Sequence, residues 1–251
     1  CSATDFDCKG FGTEQIQESL NALMQEATIS RMDYDTTRKK YAHQEIIREF
    51  EQGRIDVLVG TQMLTKGLDF DNVAVVGILN ADNMLHYPDF RAYERAFQLM
   101  MQVAGRAGRK GKQGKVFLQT YDEKHEVIQL LKIHDFNQFY TEQIAERKLF
   151  NYPPFSRLLA ITLKHKDKDR LDKVSNQLAI QLRKSFGYRV LGPEYPAISR
   201  IRNYFHKDIL LKIEQNASVK KAKTILAIII ENLQEQKDFR SVRIILDVDP
   251  V

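Results

Sequence analysis

Two adjacent prolines, at 153 and 154 within NYPPFSR (151–157), limit what this chain can become more than any other feature. Each lacks a backbone N–H and has a fixed φ, and Pro154 also drives the residue before it out of helical backbone. A helix cannot run through them. The segment reads as an extended break between two domains, and the sequence follows different rules on its two sides.

Before the break, helical and strand patterns alternate. Residues 14–24 and 36–51 read as amphipathic helices, the second with Asp35 or Thr36 as its cap. DVLVG (56–60) and VAVVGIL (73–79) read as short buried strands on either side of the loop TQMLTKGLDFDN. A helix follows over about 90–104, where Phe90, Tyr93, Phe97, Met100 and Ala104 recur at helical spacing. KVFLQTY (115–121) reads as a strand and 125–148 as helical. This alternation predicts an α/β layer with a mainly parallel sheet.

After the break the order is strand (157–164), helix (168–185), strand (188–191), strand (208–214), helix (218–235), strand (241–247). Such a β-α-β-β-α-β order predicts a small α+β domain of the split βαβ kind. In its last helix Val219, Ala222, Ile225, Leu226, Ile229, Ile230 and Leu233 form one apolar face, with Lys220, Lys221 and Lys223 away from most of it. The expected division is 1–12 as a lead-in, 13–150 as the α/β domain and 151–251 as the α+β domain.

Charge is unevenly spread. From Ser156 onward there are 19 Lys and Arg against 11 Asp and Glu; before it there are 19 against 22. The whole basic excess of this +5 chain therefore lies in its C-terminal part. Arg200, Arg202, Lys207 and Lys212 gather near one β-hairpin, and three lysines open the last helix. An acidic partner such as nucleic acid fits that asymmetry, and so does a solvated basic face. No stretch of eighteen apolar residues and no signal-peptide pattern is present, so a cytoplasmic location is expected. The chain opens at Cys1 without a methionine and is read as a piece of a longer protein. Cys1 and Cys8 are too few for a disulfide framework, and six intervening residues are not a zinc-knuckle spacing. His86, His125, His134, His165 and His206 show no metal-ligand spacing either.

The sequence QVAGRAGRKG (102–111) concentrates chemistry. Arginine is always charged, and its planar fork matches phosphate oxygens. Gly105 and Gly108 allow close backbone approach and end the helix, so Arg106 and Arg109 can address one target. A phosphoryl group in transfer is such a target. On the Arg-x-x-Arg spacing alone, a helix end capped by cations is the simpler reading. The loop after the strand 56–60 adds to it. Gly60 and Thr61 stand at a strand's carboxyl end, where ligands gather in open α/β sheets. Thr61 and the backbone N–H groups suit a nucleic-acid phosphate. Lys66 adds charge, Gly67 close approach, and Asp69 an acceptor for a ribose hydroxyl. DEKH (122–125) imitates a magnesium-binding box, but it follows the arginines rather than a P-loop and is read as a turn.

Taken in this order, GTQMLTKGLDF and QVAGRAGR resemble motifs V and VI of superfamily 2 helicases, and more closely the replication-restart helicases among them. GFGTEQIQESL (10–20), RMDYDTT (31–37), HYPDFRAYERAFQLM (86–100), YPPFSR (152–157), LGPEYPAISRIRNYFHKDILLKI (191–213) and the terminal DVDP extend the resemblance over essentially the whole chain. At one position the sequence departs: His206 stands where the family tends to carry arginine.

The resemblance implies a RecA-like second helicase lobe followed by an α+β C-terminal domain. It makes Arg109 the arginine finger on the γ-phosphate of ATP and Arg106 its companion, with Gly105 beside them. Gln102, Gly67 and Asp69 would couple the nucleotide to DNA, and Gly60, Thr61, Gln62 and Lys66 would lie near the single-stranded backbone. Cys1 stands where the family carries the last cysteine of a small zinc module. The complete protein would use ATP and Mg²⁺ and carry zinc. Its partners would be forked and single-stranded DNA, the acidic tail of single-stranded-DNA-binding protein, other primosome proteins and the replicative helicase loader. No G-x-x-x-x-G-K-[ST] occurs in these 251 residues, so the ATP-cradling lobe is expected elsewhere. Two other readings stand beside this one. One is a stand-alone DNA- or protein-binding module with a vestigial motor lobe; the other is a fork-remodelling helicase of another branch, which leaves YPPFSR and the basic tail unexplained.

Overall fold

The computed structural model describes residues 12–37, 41–61, 64, 70, 72–108, 114–236 and 239–250. They form two compact units, Cys1–Phe139 and Tyr140–Val251.

In the first unit, α1 (Thr13–Leu23) leads into β1 (Ile29–Met32), and α2 (Ala42–Glu51) connects it to β2 (Val57–Gly60). β1 and β2 pair in parallel, with Met32 opposite Gly60. β3 (Val75–Ile78) and β4 (Lys115–Leu118) form a second parallel pair. The chain between them carries α3 (Asp82–Leu85) and α4 (Ala92–Ala104). Parallel strands need such crossovers, so the helix–strand alternation produces this pairing. Among the described residues the parallel layer is divided into two two-stranded pieces, each over its own core. Met32 and Phe70 centre one, with Phe50 edge-on to Phe70 at 4.8 Å. Phe97, Met100 and Leu131 belong to the other, where Phe97 stacks on Phe139 at 4.2 Å.

Two helix boundaries differ from the sequence expectation. The second helix starts at Ala42, not at 36, because residues 33–37 close into a turn of their own. The Asp33 carboxylate accepts the N–H groups of Asp35 and Thr36, and its carbonyl accepts the Thr37 hydroxyl. Tyr41 precedes α2 with φ 78°. The helical stretch 125–148 is two helices, α5 (Glu126–Lys132) and α6 (Phe136–Leu149), interrupted where His134 takes φ 57°. Asp135 restarts the chain by accepting the Gln138 N–H, as an N-cap does.

The second unit follows the predicted order. β5 (Ser156–His165), α7 (Lys168–Phe186), β6 (Val190–Glu194), β7 (Arg200–Ile201), β8 (Tyr204–Glu214), α8 (Val219–Gln234) and β9 (Arg243–Val248) succeed one another. The sheet order is β6-β8-β5-β9 with antiparallel neighbours, and β7 pairs with β8. Asp167 caps α7 through the Arg170 N–H and Ser218 caps α8 through the Lys221 N–H. β8 begins at Tyr204 rather than 208 because a two-residue turn, Arg202 and Asn203 both at positive φ, joins it to β7. Alternation along β8 turns Ile209, Leu211 and Ile213 into the core, where they meet Leu171, Leu178 and Leu182 of α7.

The proline link is a turn rather than an extended run. The Phe155 N–H donates to the Tyr152 carbonyl at 2.9 Å, around a cis Pro153–Pro154 bond. Arg147 donates to the Pro153 carbonyl, and the Ser156 hydroxyl to that of Asn151, so the turn is anchored on both sides.

Candidate nucleotide and nucleic-acid site

α4 buries Ala92, Ala96, Phe97 and Met100, which leaves Gln102 on its exposed side. The helix ends through tightening turns: the Arg106 N–H donates to Val103 and that of Ala107 to Ala104. Gly105 closes it in ordinary right-handed backbone (φ −63°, ψ −5°), and a Cβ there would meet nothing closer than 3.4 Å. Gly105 thus has no special backbone task; that belongs to Gly108, whose φ of 75° an L side chain rarely adopts. The Gly108 N–H donates to the Val73 carbonyl at 3.0 Å, just before β3. Arg106 is half-buried between these fixed points.

Gly60 ends β2, and its missing side chain is used inward. A Cβ there would lie 2.6 Å from the Met32 carbonyl oxygen and 2.7 Å from the Leu64 side chain. Thr61 follows, exposed, and its carbonyl accepts the Leu64 N–H. Leu64 and Val73 both pack on the Met32–Phe70 cluster. Val73 is therefore the joint: its side chain packs on the Met32–Phe70 cluster, as that of Leu64 does, and its carbonyl holds the turn that carries Arg106. The Gly60 and Arg106 segments are thus each joined to the Met32–Phe70 cluster at one remove, Gly60 through Met32 and Leu64 and the Arg106 turn through the Gly108–Val73 hydrogen bond. Arg109, Gln62, Lys66, Gly67, Asp69, Cys1 and Cys8 lie outside the described residues.

Two aspartates that sequence reasoning does not single out organise this unit. Asp33, at the end of β1, accepts the Thr13 hydroxyl at 2.6 Å and pairs with Arg31 at 3.1 Å. The Thr13 bond is the largest influence on its carboxyl and, against the cost of burial, holds the pKa below the ordinary value. Asp82 accepts the Thr120 hydroxyl and the Tyr121 N–H, which ties α3 to the chain leaving β4. Burial works against its charge, but those bonds outweigh it, and its pKa too is lowered. The turn at 122–125 caps a helix: Asp122 accepts the Lys124 N–H and the His125 ring accepts that of Val127. Among the described residues no three or more His, Cys, Asp or Glu side chains gather as a metal site would need.

In the second unit the basic residues separate into two kinds. Lys220, Lys221 and Lys223 of α8 are exposed, as are Arg200 and Arg202. Lys207 is not part of that surface. β8 alternation turns it toward α7, where its ammonium meets Asp172 at 2.6 Å and lies over the Tyr195 ring. Tyr195 also donates to Asp172, and burial, followed by that carboxylate, pushes its pKa up to about 12. Lys212 donates to the Phe150 carbonyl and lies over the Tyr152 ring, and burial lowers its pKa.

Comparison with known proteins follows this division. The family model for the helicase conserved C-terminal domain matches residues 11–111, and that for the primosomal protein N C-terminal domain matches 148–251. Replication restart protein PriA of Bacillus subtilis (strain 168) is 37% identical over 252 residues, covering 100% of this chain. The chain belongs to the PriA family. PriA of Haemophilus influenzae is 35% identical over 253 residues, and PriA of Treponema pallidum 39% over 216, covering 100% and 84% of this chain. These alignments take in 31%, 34% and 32% of the three relatives, so the chain spans roughly a third of the length of the PriA proteins it matches. Its two matching models place a helicase conserved C-terminal domain before a primosomal protein N C-terminal domain. Among the described residues no helix is long and apolar enough to cross a membrane.

Proposed function

We propose that this part of PriA serves as the second motor lobe and C-terminal domain of an ATP-driven DNA helicase. The whole protein moves 3′ to 5′ on single-stranded DNA, restarts stalled forks and initiates primosome assembly in the cytoplasm. The observation that carries the reading is the Val73 joint. One residue packs on the cluster that Leu64, after Gly60, also joins, and holds the turn of Arg106, so a change at a nucleotide would reach a strand of DNA through a short, packed path. A binding module has no need of such a joint.

Within this reading Arg109 reaches the γ-phosphate with Arg106 beside it, Gln102 and Gly105 line the nucleotide side, and Gly67 and Asp69 relay to the DNA side. Gly60, Thr61, Gln62 and Lys66 follow the single strand. ATP with Mg²⁺ supplies the phosphoryl group whose hydrolysis drives movement. What this chain adds is fixed positive charge opposite the oxygens where negative charge builds. Zinc is assigned to a module of which Cys1 is one ligand, and four are needed. The C-terminal domain contacts forked DNA or the acidic tail of single-stranded-DNA-binding protein, and other primosome proteins and the helicase loader dock on the complete protein.

DNA-stimulated ATP turnover tests the reading. The 251-residue chain alone is expected to show none. In full-length PriA, Arg109→Ala should lower kcat by on the order of 10³-fold and leave DNA affinity intact, as loss of an arginine finger does. Turnover by the isolated chain, or a kcat loss of less than about tenfold in the full-length variant, overturns the assignment.

A further inference from the structure

Gly114 stands immediately before β4, against the turn that ends α4. A Cβ on it would overlap the Gly108 nitrogen and the Ala107 carbonyl carbon and lie 2.7 Å from the Ala107 Cβ. Two of these three atoms are backbone, so no rotamer change relieves the overlap; the turn itself has to move. Gly114 is not among the glycines at positive φ, so the position calls for the absence of a side chain rather than for unusual backbone. Gly77, in β3 of the same sheet, has nothing within 4 Å of its Cβ position.

The opposite side of the turn is fixed as well. The Gly108 N–H donates to Val73, and the next residue along, Ala74, accepts the Lys115 N–H at 3.0 Å. The turn is therefore added to the start of the β3–β4 ladder, gripped by a hydrogen bond from the β3 side and by backbone packing from the β4 side. Arg106 directly precedes the gripped Ala107–Gly108 backbone.

We infer that Gly114 is a positioning residue for Arg106: by lacking a side chain it lets the start of β4 press the Ala107–Gly108 backbone against Val73 and so fixes where the arginine stands. The inference rests on the reading of Arg106 as part of the ATP site. An added methyl at 114 displaces the turn without touching the phosphate cradle or the DNA path. Its signature is accordingly a loss in kcat with KM for ATP unchanged, since a misplaced charge of this kind weakens the transition state more than the ground state.

The test compares Gly114→Ala, Gly77→Ala and Arg106→Ala in full-length PriA, by steady-state ATP hydrolysis at saturating single-stranded DNA, with DNA affinity and thermal unfolding measured alongside. Gly114→Ala is expected to lower kcat by up to about 10²-fold, the cost of a displacement near 1 Å at a reacting group, with KM and DNA affinity unchanged. Gly77→Ala should match the wild type. If Arg106→Ala is impaired and Gly114→Ala keeps its kcat, or loses KM and kcat together with DNA affinity, the positioning role is overturned while the ATP-site reading stands. If Arg106→Ala and Arg109→Ala both retain full turnover, the ATP-site reading itself fails. Should Gly114→Ala not fold, amide exchange in the wild-type chain decides: the Gly108 N–H should exchange slowly, and exchange as fast as an exposed turn amide overturns the grip.

Discussion

The Thr13 hydroxyl donates to the Asp33 carboxylate at 2.6 Å, across twenty residues of sequence. One oxygen of that carboxylate fastens the first residue of α1; the other gathers the Asp35 and Thr36 N–H groups at 3.0 Å. The same group therefore fixes the start of a helix, the end of β1 and the turn after it. β1 ends beside Gly60, so the strand end that leads into the candidate DNA loop inherits its position from Asp33.

Asp33→Ala is expected to cost the first unit about 1–3 kcal/mol, the range for leaving buried hydrogen-bonding groups without partners. The effect should depend on pH. Because the folded pKa of Asp33 is lowered, its stabilising contribution is complete above the ordinary aspartate value of about 3.9 and is lost as pH falls through that value toward the folded one. Urea unfolding of wild type and Asp33→Asn at a series of pH values checks this. The two stability curves should diverge above that window and converge below it; parallel curves would remove Asp33 from this role.

Gly60→Ala should separate packing from DNA binding. The added methyl meets the Met32 carbonyl, which belongs to a paired strand, so overpacking of about 1–3 kcal/mol is expected in the chain without any nucleic acid. Thr61→Ala, at an exposed position, should leave stability unchanged and weaken single-stranded DNA binding by full-length PriA. Equal stability of the two variants would show that β1 does not press on Gly60.

The buried ion pair of the second unit makes an asymmetric prediction. Asp172→Ala leaves the Lys207 ammonium nearly enclosed without its carboxylate, at a cost of about 2–4 kcal/mol. Lys207→Met places an apolar chain beside the buried face of β8 and should cost far less. In chemical denaturation the double variant should be more stable than Asp172→Ala alone. If Lys207→Met is the more damaging single change, the lysine is held for its charge rather than its position.

The alternation of strands and helices is legible in the sequence because short apolar runs and helical spacing are local signals. The cap Ser218 is not: the apolar spacing of 218–235 counts it into the helix, and only its hydroxyl, accepting the Lys221 N–H, sets it just outside. Nor is the start of α2. Asp35 and Thr36 look like caps in sequence, but the carboxylate of Asp33, oriented by distant Thr13, draws their N–H groups into a turn. Asp135 is a readable cap hidden inside a stretch whose apolar spacing continues through it. Composition places Lys207 on the basic surface because composition carries no facing; only the register of β8 against β5, with Lys207 opposite core residue Leu163, turns it inward. At the candidate site the glycine motif is legible as a whole, but its division of labour is not. That Gly108 needs positive φ, Gly105 does not, and Gly114 excludes a Cβ depends on chain segments brought together by the fold.

The exposed lysines of α8 carry the last prediction. With Lys207 and Lys212 turned to internal partners, Lys220, Lys221 and Lys223, next to the N-terminus of α8, are the exposed cluster to test in the C-terminal domain. If they neutralise phosphates, binding of forked DNA by full-length PriA should weaken as salt rises, and each lysine so engaged should account for about 0.9 of the log–log slope. Changing all three to Ala should then reduce affinity for every DNA sequence alike, since interactions with the phosphate backbone carry no base information. An acidic peptide with an aromatic end would show a similar salt dependence, but it would also need an apolar seat. Exposed Ile225 and Ile228, on the same helix, are where one could form. Ile228→Ser should therefore weaken the peptide and spare the DNA. Titration of both ligands at two salt concentrations, for the triple lysine variant and for Ile228→Ser, separates the cases. If the triple variant binds fork DNA and peptide with wild-type affinity and an unchanged salt slope, α8 presents only a solvated basic face.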